Sequence, residues 1–371
     1  MGPSKPIEPP MDARVASSQP QPSMPTRYLP LPPQPQPIVI FAPTWFQRWT
    51  GRLGWIGCLF LGFLLISQWV TLGEYFNTTG DVTEKFHSGE KYGSDKVAII
   101  HVSGVILEGE GYVKHQIDQI REDKNVKAVV LRVDSPGGTV TGSDYIFHHL
   151  KKLRNDRKLP LVVSMGSIAA SGGYYVSMAV GDQKDVIFAE PTTTTGSIGV
   201  IVPHYDVSKL LERYDVKDDS ISSHPRKQML SMTRQLSEED RKLVQSYVDE
   251  SFQRFTDIVK EGRPLFGNDG DALKQLATGE IFSANQAHKH GLVDKIGFIE
   301  DAIDRAIELA RLDKQHVRVV QFERPVSLFN LGLAQASSQR SELATLLELS
   351  SPRAYYLATS LPTLITSRRA D

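Results

Sequence analysis

The 371-residue chain has a single cysteine, Cys58. One thiol excludes an intramolecular disulfide and any zinc or iron–sulfur site built from several cysteines; an exported domain without thiols is compatible with that scarcity. An excess of one charge is also missing. The chain has 42 Lys and Arg against 43 Asp and Glu, a formal net charge of −1, so nothing overall argues for nucleic acid as the main ligand. Proline is thin beyond residue 44, because 13 of its 22 copies fall in residues 1–44. With 40% hydrophobic and 23% charged residues, the composition is that of an ordinary globular chain, long enough for one or two domains with a sizeable core.

The prolines at the start come in runs such as Pro9-Pro10 and Pro32-Pro33. They deny a helix its donors and favour extended segments, so residues 1–52 read as a disordered tail, a flexible spacer rather than a ligand for an SH3-like groove. Residues Leu53 to Leu72 then carry no charge, over roughly the 20 residues needed to cross a hydrocarbon core of about 30 Å. Trp45, Trp49, Trp55 and Trp69, all the tryptophans of the chain, fall near the two ends of this run, where indoles prefer to lie. The long tail before it and the lack of a small-residue cleavage site after it separate it from a cleaved signal peptide. Lys5, Arg14, Arg27, Arg48 and Arg52 precede the run, whereas Glu74, Asp81 and Glu84 follow it. The basic side stays in the cytoplasm, which puts everything after about residue 75 outside.

From Lys96 onward, short runs rich in Val and Ile alternate with longer amphipathic segments, the signature of an α/β domain. Strands are expected at Val97–Val102, Ala128–Val133, Leu161–Ser164 and Val186–Ala189, with a helix over Gly142–Arg154. A long helix is expected over Ser237–Lys260, capped by Ser237 and opened by three acids. Its Leu243, Val244, Tyr247, Val248, Phe255, Ile258 and Val259 form a stripe that reads as core packing.

Two motifs stand at strand ends. Asp134-Ser-Pro-Gly-Gly138 follows the second strand, and its glycines leave backbone N–H groups open to a ligand, as an oxyanion hole requires. Ile168-Ala-Ala-Ser-Gly-Gly-Tyr-Tyr175 follows the third. Ser171 there has small neighbours, so a carbonyl could reach its hydroxyl, and a helix starting at this point would aim the N–H of Gly172 at the same oxygen as that of Gly137. A serine needs a base to take its proton. His204, His224, His288 and His290 are candidates without an orienting carboxylate pattern, and a desolvated lysine is the other answer. Spacing does not choose between them.

The order of Asp134-Ser-Pro-Gly-Gly138, Ala-Ser171-Gly-Gly-Tyr-Tyr and Thr195-Gly-Ser-Ile-Gly199, with Gly279-Glu-Ile-Phe-Ser-Ala and Gly291-Leu-Val-Asp-Lys-Ile-Gly297 behind them, resembles the signal peptide peptidase A family of Ser-Lys membrane peptidases over about Lys96 to Leu312. The resemblance implies an α/β fold of the Clp-protease/crotonase-like class, built of repeated ββα units behind one N-terminal transmembrane helix. Domain bounds follow: tail 1–52, membrane helix 53–72, linker 73–94, peptidase domain 95–312 and C-terminal extension 313–371. It also implies Ser171 as nucleophile, Gly137 and Gly172 as oxyanion donors, and Ser197 as the group that holds the lysine. Counting back from the helix start at Ser237 makes the general base Lys227, set in His224-Pro-Arg-Lys-Gln, where the family's usual glycine and following acid are absent; Arg226 is always protonated and cannot serve.

No metal or cofactor is needed for such a dyad. The implied substrates are peptides, remnant signal peptides or other unfolded or membrane segments. Family members with one copy of the domain form rings in which serine and lysine come from neighbouring subunits, so a homo-oligomer is expected. The implied location is the inner membrane, with the catalytic part extracytoplasmic. Competing classes are an acyl-CoA enzyme of the crotonase type, an inactive membrane scaffold and a Ser-His peptidase using His204. Residues Ser337–Ser350 read as an amphipathic helix, and the resemblance lets the C-terminal region lie across the groove.

Overall fold

Runs of Val, Ile and Leu bounded by polar turns become the strands of a nine-stranded sheet in the computed structural model, which describes residues 58–68, 82–324 and 354–357. The chain divides into two units, Met1–Glu74 and Tyr75–Asp371. In the first, residues 58–68 form helix α1, inside the apolar run expected to span 53–72. The remainder of that run and the expected tail lie outside the described residues, as does the helix expected over Ser337–Ser350. Among the described residues no helix is long and apolar enough to cross a membrane.

The second unit runs β1 (Thr83–Gly89), β2 (Asp95–Ser103), α2 (Tyr112–Glu122), β3 (Val126–Ser135), β4 (Gly137–Thr139), α3 (Val140–Arg157), β5 (Leu161–Ala170), α4 (Gly172–Ser177), β6 (Ile187–Ala189), β7 (Thr194–Gly196) and α5 (Ser208–Arg213). It continues through α6 (Glu238–Gly262), α7 (Leu265–Asn268), α8 (Gly270–Leu276), β8 (Ile281–Ser283), α9 (Ala284–Lys289), β9 (Lys295–Ile296), α10 (Ile299–Leu309), β10 (Val317–Glu323) and β11 (Tyr355–Leu357). The main path of the sheet is β1-β10-β2-β3-β5-β6-β9, with β7 and β8 branching from β5. Strands β10, β2, β3, β5, β6 and β9 are parallel along this path, and β1 closes the edge antiparallel to β10. Parallel strands covered on both faces must be apolar throughout, and Val97–Ile100 and Ala128–Leu131 are fully buried accordingly.

Each of the four expected strands is present, and β5 runs on to Ala170, so that it delivers the chain directly to Ser171. It does so by changing partners. Val163–Met165 pair with β6, whereas Ile168–Ala170 pair with β7. The β3–β4–α3 segment is one long strand, one short strand and a helix, and the short strand stands off the main sheet to pair with β11.

Two features differ from the expectations. Strand β10 sits between β1 and β2 with Val317, Val319, Val320 and Phe322 buried, so the sheet takes in residues on both sides of 95–312. The stripe on α6 is also only half core: Phe255, Ile258 and Val259 are buried, but Leu243 and Tyr247 are exposed. Helical periodicity reports which residues share a face and not whether anything covers that face along its whole length.

Candidate active site

Ser171 occupies the joint between β5 and α4 with φ 56° and ψ −116°. A residue with a side chain enters such backbone space at a cost of about 1–3 kcal/mol, and a sharp strand-to-helix turn of this kind is how a fold lifts a serine hydroxyl to the head of a sheet. The surroundings hold the turn in place. The N–H of Ser171 donates to the Gly196 carbonyl at 2.8 Å and its own carbonyl accepts from Tyr175 N–H at 2.8 Å. The residue is buried.

Gly137 and Gly172 meet beside this turn. Gly137 has φ +97°, and a Cβ on it would collide with the Tyr356 carbonyl oxygen and lie 2.5 Å from the Gly172 nitrogen; a Cβ on Gly172 would collide with the Ser143 hydroxyl. Only glycines permit this approach of two backbones. The Gly137 N–H itself donates to Ser135 Oγ at 3.1 Å, and that hydroxyl donates to the Gly104 carbonyl at 2.6 Å. Ile106 takes the Gly137 carbonyl with its N–H and gives its own carbonyl to Thr139 N–H. Strand alternation therefore turns the N–H of Gly138 to the opposite edge, where Tyr356 pairs with it.

That opposite edge carries an extended strand. Val140 N–H donates to the Ala354 carbonyl at 3.2 Å, while Tyr355 exchanges hydrogen bonds of 2.9 and 3.0 Å with Ile201. Residues 354–357 thus run between β4 and Ile201, across the two glycines. The Tyr356 ring is fully buried: it stacks on Tyr175 at 5.1 Å between centroids, meets Phe255 at 4.6 Å, and donates its hydroxyl to the Ser251 carbonyl at 2.8 Å. Burial pushes the Tyr356 and Tyr175 phenols up from their ordinary value, so both remain donors. Tyr175 donates to Asp144 at 2.5 Å, and Arg254 pairs with the same carboxylate at 2.9 Å.

The Thr195–Gly199 motif is stitched to the serine from the other side. Thr195 Oγ1 donates to the Ala169 carbonyl at 2.6 Å, and Ser197, also buried and at φ 50°, donates its N–H to the Glu280 carbonyl at 2.6 Å. Lys227 comes from a separate segment, between α5 and α6. It lies exposed on a 3-10 turn over Pro225–Gln228, lining a cavity of about 520 Å³ with Val202, Met229, Leu230, Val244 and Tyr247. None of the described hydrogen bonds or ion pairs joins it to Ser171 or Ser197. His204 is turned to the Ser231 carbonyl at 3.2 Å, and no described hydrogen bond joins it to Ser171 either. Ser171, Gly137, Gly172 and Ser197 are therefore brought together within one chain, and no described hydrogen bond or ion pair ties Lys227 to them.

Residues 153–313 match the family model of Peptidase family S49. A protein described as a putative signal peptide peptidase SppA, from Enterococcus faecium, is 38% identical over 247 residues, which cover 63% of this chain and 69% of that one. The chain belongs to peptidase family S49. A putative protease of Synechocystis sp. is 37% identical over 233 residues, with 63% of this chain and 81% of that one covered. Protease 4 of Salmonella typhi is 37% identical over 238 residues, but these cover 62% of this chain and 37% of that longer protein. Among solved structures, a ClpP1 mutant from Listeria monocytogenes is matched with a TM-score of 0.37 and 16% identity, over 55% of this chain and 94% of that one.

The S49 match starts inside α3 and ends beyond α10, so it contains Ser171, Gly172, Ser197 and Lys227 but neither Gly137 nor the 354–357 strand. Reading the sequence of this S49 protease missed Ser135, whose hydroxyl occupies the Gly137 amide, and the Asp144–Tyr175–Arg254 group. It also missed Phe255 and Ser251 as partners of Tyr356. The doubled tyrosines at 174–175 and 355–356 are visible in the sequence, but nothing in their spacing announces that Tyr175 and Tyr356 stack.

Proposed function

We propose that this S49 protease is a membrane-anchored serine endopeptidase with Ser171 as nucleophile and Lys227 as general base. The observation that carries the reading is the strained turn at Ser171 with an extended strand laid across the Gly137–Gly172 approach beside it. Neutral Lys227 takes the Ser171 proton as Oγ bonds to the peptide carbonyl carbon. The oxyanion is met by Gly172 N–H and by Gly138 N–H, which faces the bound strand; Gly137, expected as the second donor, has its own N–H taken by Ser135 Oγ and supplies the close backbone approach instead. The C–N bond then breaks, the lysine returns its proton to the leaving amine, and water frees the acyl group. The fold class that goes with this reading is the Clp-protease/crotonase-like one.

In this reading the lysine is supplied by a second copy of the chain. Residues 201–237 contain no buried residue, and Leu243 and Tyr247 of α6 are exposed beside them. Packing of this surface on a neighbour in a homo-oligomeric ring would cover it and bring one subunit's Lys227 to the next subunit's Ser171, with Ser197 holding the amine. Helix α1 is apolar on all sides, with Leu59, Phe60, Leu61, Phe63, Leu65 and Ile66 exposed, as a lipid-facing helix would be. With the basic flank before it, the tail is cytoplasmic and the peptidase extracytoplasmic, in the inner membrane. The substrates are remnant signal peptides or unfolded segments.

The test is casein hydrolysis by the detergent-solubilised full chain. Ser171→Ala and Lys227→Ala each abolish activity while remaining folded, and an equimolar re-assembled mixture of the two regains part of it. Activity indifferent to either substitution overturns the dyad.

A further inference from the structure

Asp134 and Ser135 are neighbours on β3, and strand alternation turns them to opposite faces of the sheet. Ser135 serves the glycines, since its hydroxyl takes the Gly137 N–H. Asp134 serves the serine motif. Beside it the register of β3 and β5 slips: Val133 pairs with Met165 and Ser135 with Ala169, so a step of two residues on β3 matches a step of four on β5. The surplus lies within Gly166-Ser-Ile168, where β5 passes from β6 to β7. A bulge of this kind re-aims the strand that follows it and takes backbone groups out of the ladder. One oxygen, Asp134 Oδ1, accepts both the Ile168 N–H at 3.1 Å and the Ser167 hydroxyl at 2.6 Å. From the far side, Thr193 Oγ1 donates to the Gly166 carbonyl at 2.6 Å. A Cβ on Gly166 would lie 3.2 Å from the Asp134 carboxyl carbon, so the bulge is packed on that side chain as well as bonded to it. Ser171 follows three residues after Ile168.

We infer that Asp134 is a positioning residue for the nucleophile: as a double acceptor it fixes the bulge, and through the bulge the height at which β5 delivers Ser171. Together with Ser135 it refers the serine turn and the glycine turn to one strand, so the two halves of the site keep a common origin. The inference rests on the peptidase reading for its effect on rate, but not for its effect on the turn. What the bulge requires is an acceptor. Asp134→Asn keeps Oδ1 and retains kcat within about threefold, the difference between a charged and a neutral acceptor. Asp134→Ala strands the Ile168 N–H, lets β5 shift, and lowers kcat by about a hundredfold, the loss that an ångström of misplacement produces. KM for an unstructured peptide is unchanged, because β4 and Ile201, which hold the strand at the groove, lie outside the bulge.

Two readouts on the full chain test this. Ser171-dependent kcat and KM on one unstructured peptide are compared for wild type, Asp134→Asn and Asp134→Ala. Amide exchange is followed in the same three proteins at residues 168–172, with the amides of β2 as the reference for the sheet as a whole. The expected result for Asp134→Ala is faster exchange confined to 168–172 and a lower kcat at constant KM, with Asp134→Asn close to wild type in both. Local loss of protection in Asp134→Ala, with no Ser171-dependent hydrolysis even by wild type, keeps the positioning role and sinks the peptidase reading. Protection at 168–172 that survives Asp134→Ala, loss spread evenly over β2 as well, a kcat that an active enzyme retains despite the local loss, or an equal fall in Asp134→Asn overturns the inference.

Discussion

The backbone N–H of Ser171 is bonded to the carbonyl of Gly196, the residue immediately before Ser197. One hydrogen bond therefore joins the turn that presents the hydroxyl to the turn proposed to hold the base. Gly196 is at φ +83°, and a Cβ there would lie 2.5 Å from the Phe282 ring. Gly196→Ala should shift both turns together. The expected result is a folded protein, by circular dichroism, with activity on casein down by about a hundredfold, the scale at which an ångström of misplacement is felt.

The strand at 354–357 lies across the glycines where the proposed reading seats substrate, so the two should compete. Tyr356→Ala removes a fully buried ring, worth roughly 2–3 kcal/mol of the strand's hold on the groove, and lowers the fraction of molecules whose groove is filled. KM for an unstructured peptide should fall severalfold, with kcat unchanged. An unaltered or raised KM would show that the strand does not compete.

Arg263 and Asp294 form an ion pair at 2.6 Å with both side chains nearly buried; Asp294 also accepts the N–H groups of Val186 and Ile187, each at 2.9 Å. Asp294→Ala strands a buried guanidinium and two amides, a loss of about 3–5 kcal/mol, read as a lower urea midpoint. Replacing both partners, Arg263→Met with Asp294→Leu, should cost less than Asp294→Ala alone.

Lys96 bridges Glu84 at 2.7 Å and Asp123 at 2.8 Å, which ties β2 to β1 and to the turn after α2. Burial opposes its charge, but the bonds to Asp123 and Glu84 prevail and hold the ammonium above its ordinary 10.5. Burial likewise opposes the Asp123 charge, and Lys96 prevails in holding that carboxyl below its ordinary 3.8. The Asp123 contribution is present above about pH 4 and is lost as pH falls through the lowered value. The Lys96 contribution is present below about pH 10.5 and is lost as pH rises through the raised value. Urea midpoints of wild type and Lys96→Met should differ most near pH 7 and converge at both extremes.

The strands were legible because the middle of a parallel strand in a covered sheet leaves little room for polar residues, and Val97–Ile100 and Ala128–Leu131 could hardly be anything else. The glycine and serine positions of the site were legible for a related reason: a residue type forced by backbone geometry, such as Gly137 against Gly172, marks itself. Strand β10 was not legible as part of the sheet, because its pairing with β1 and β2 joins residues more than two hundred positions apart and leaves no local pattern. The exposed half of α6 misled for the converse reason, since an apolar stripe looks the same whether it faces this chain's core or another surface. Lys227 was placed by its distance from a helix start, and sequence distance carries no information about which serine a lysine on an exposed turn will meet.

The position of β10 sets the order in which the molecule can be made. Strands β2 and β3 are complete once residue 135 has left the ribosome, yet the outer edge of β2 has no partner until residue 323 has followed, and β1 waits on the same strand. Through most of synthesis the apolar strand β2 therefore offers an open edge, of the kind that recruits foreign strands. A truncation before residue 317 should leave that edge bare for good and yield aggregate rather than a smaller protease.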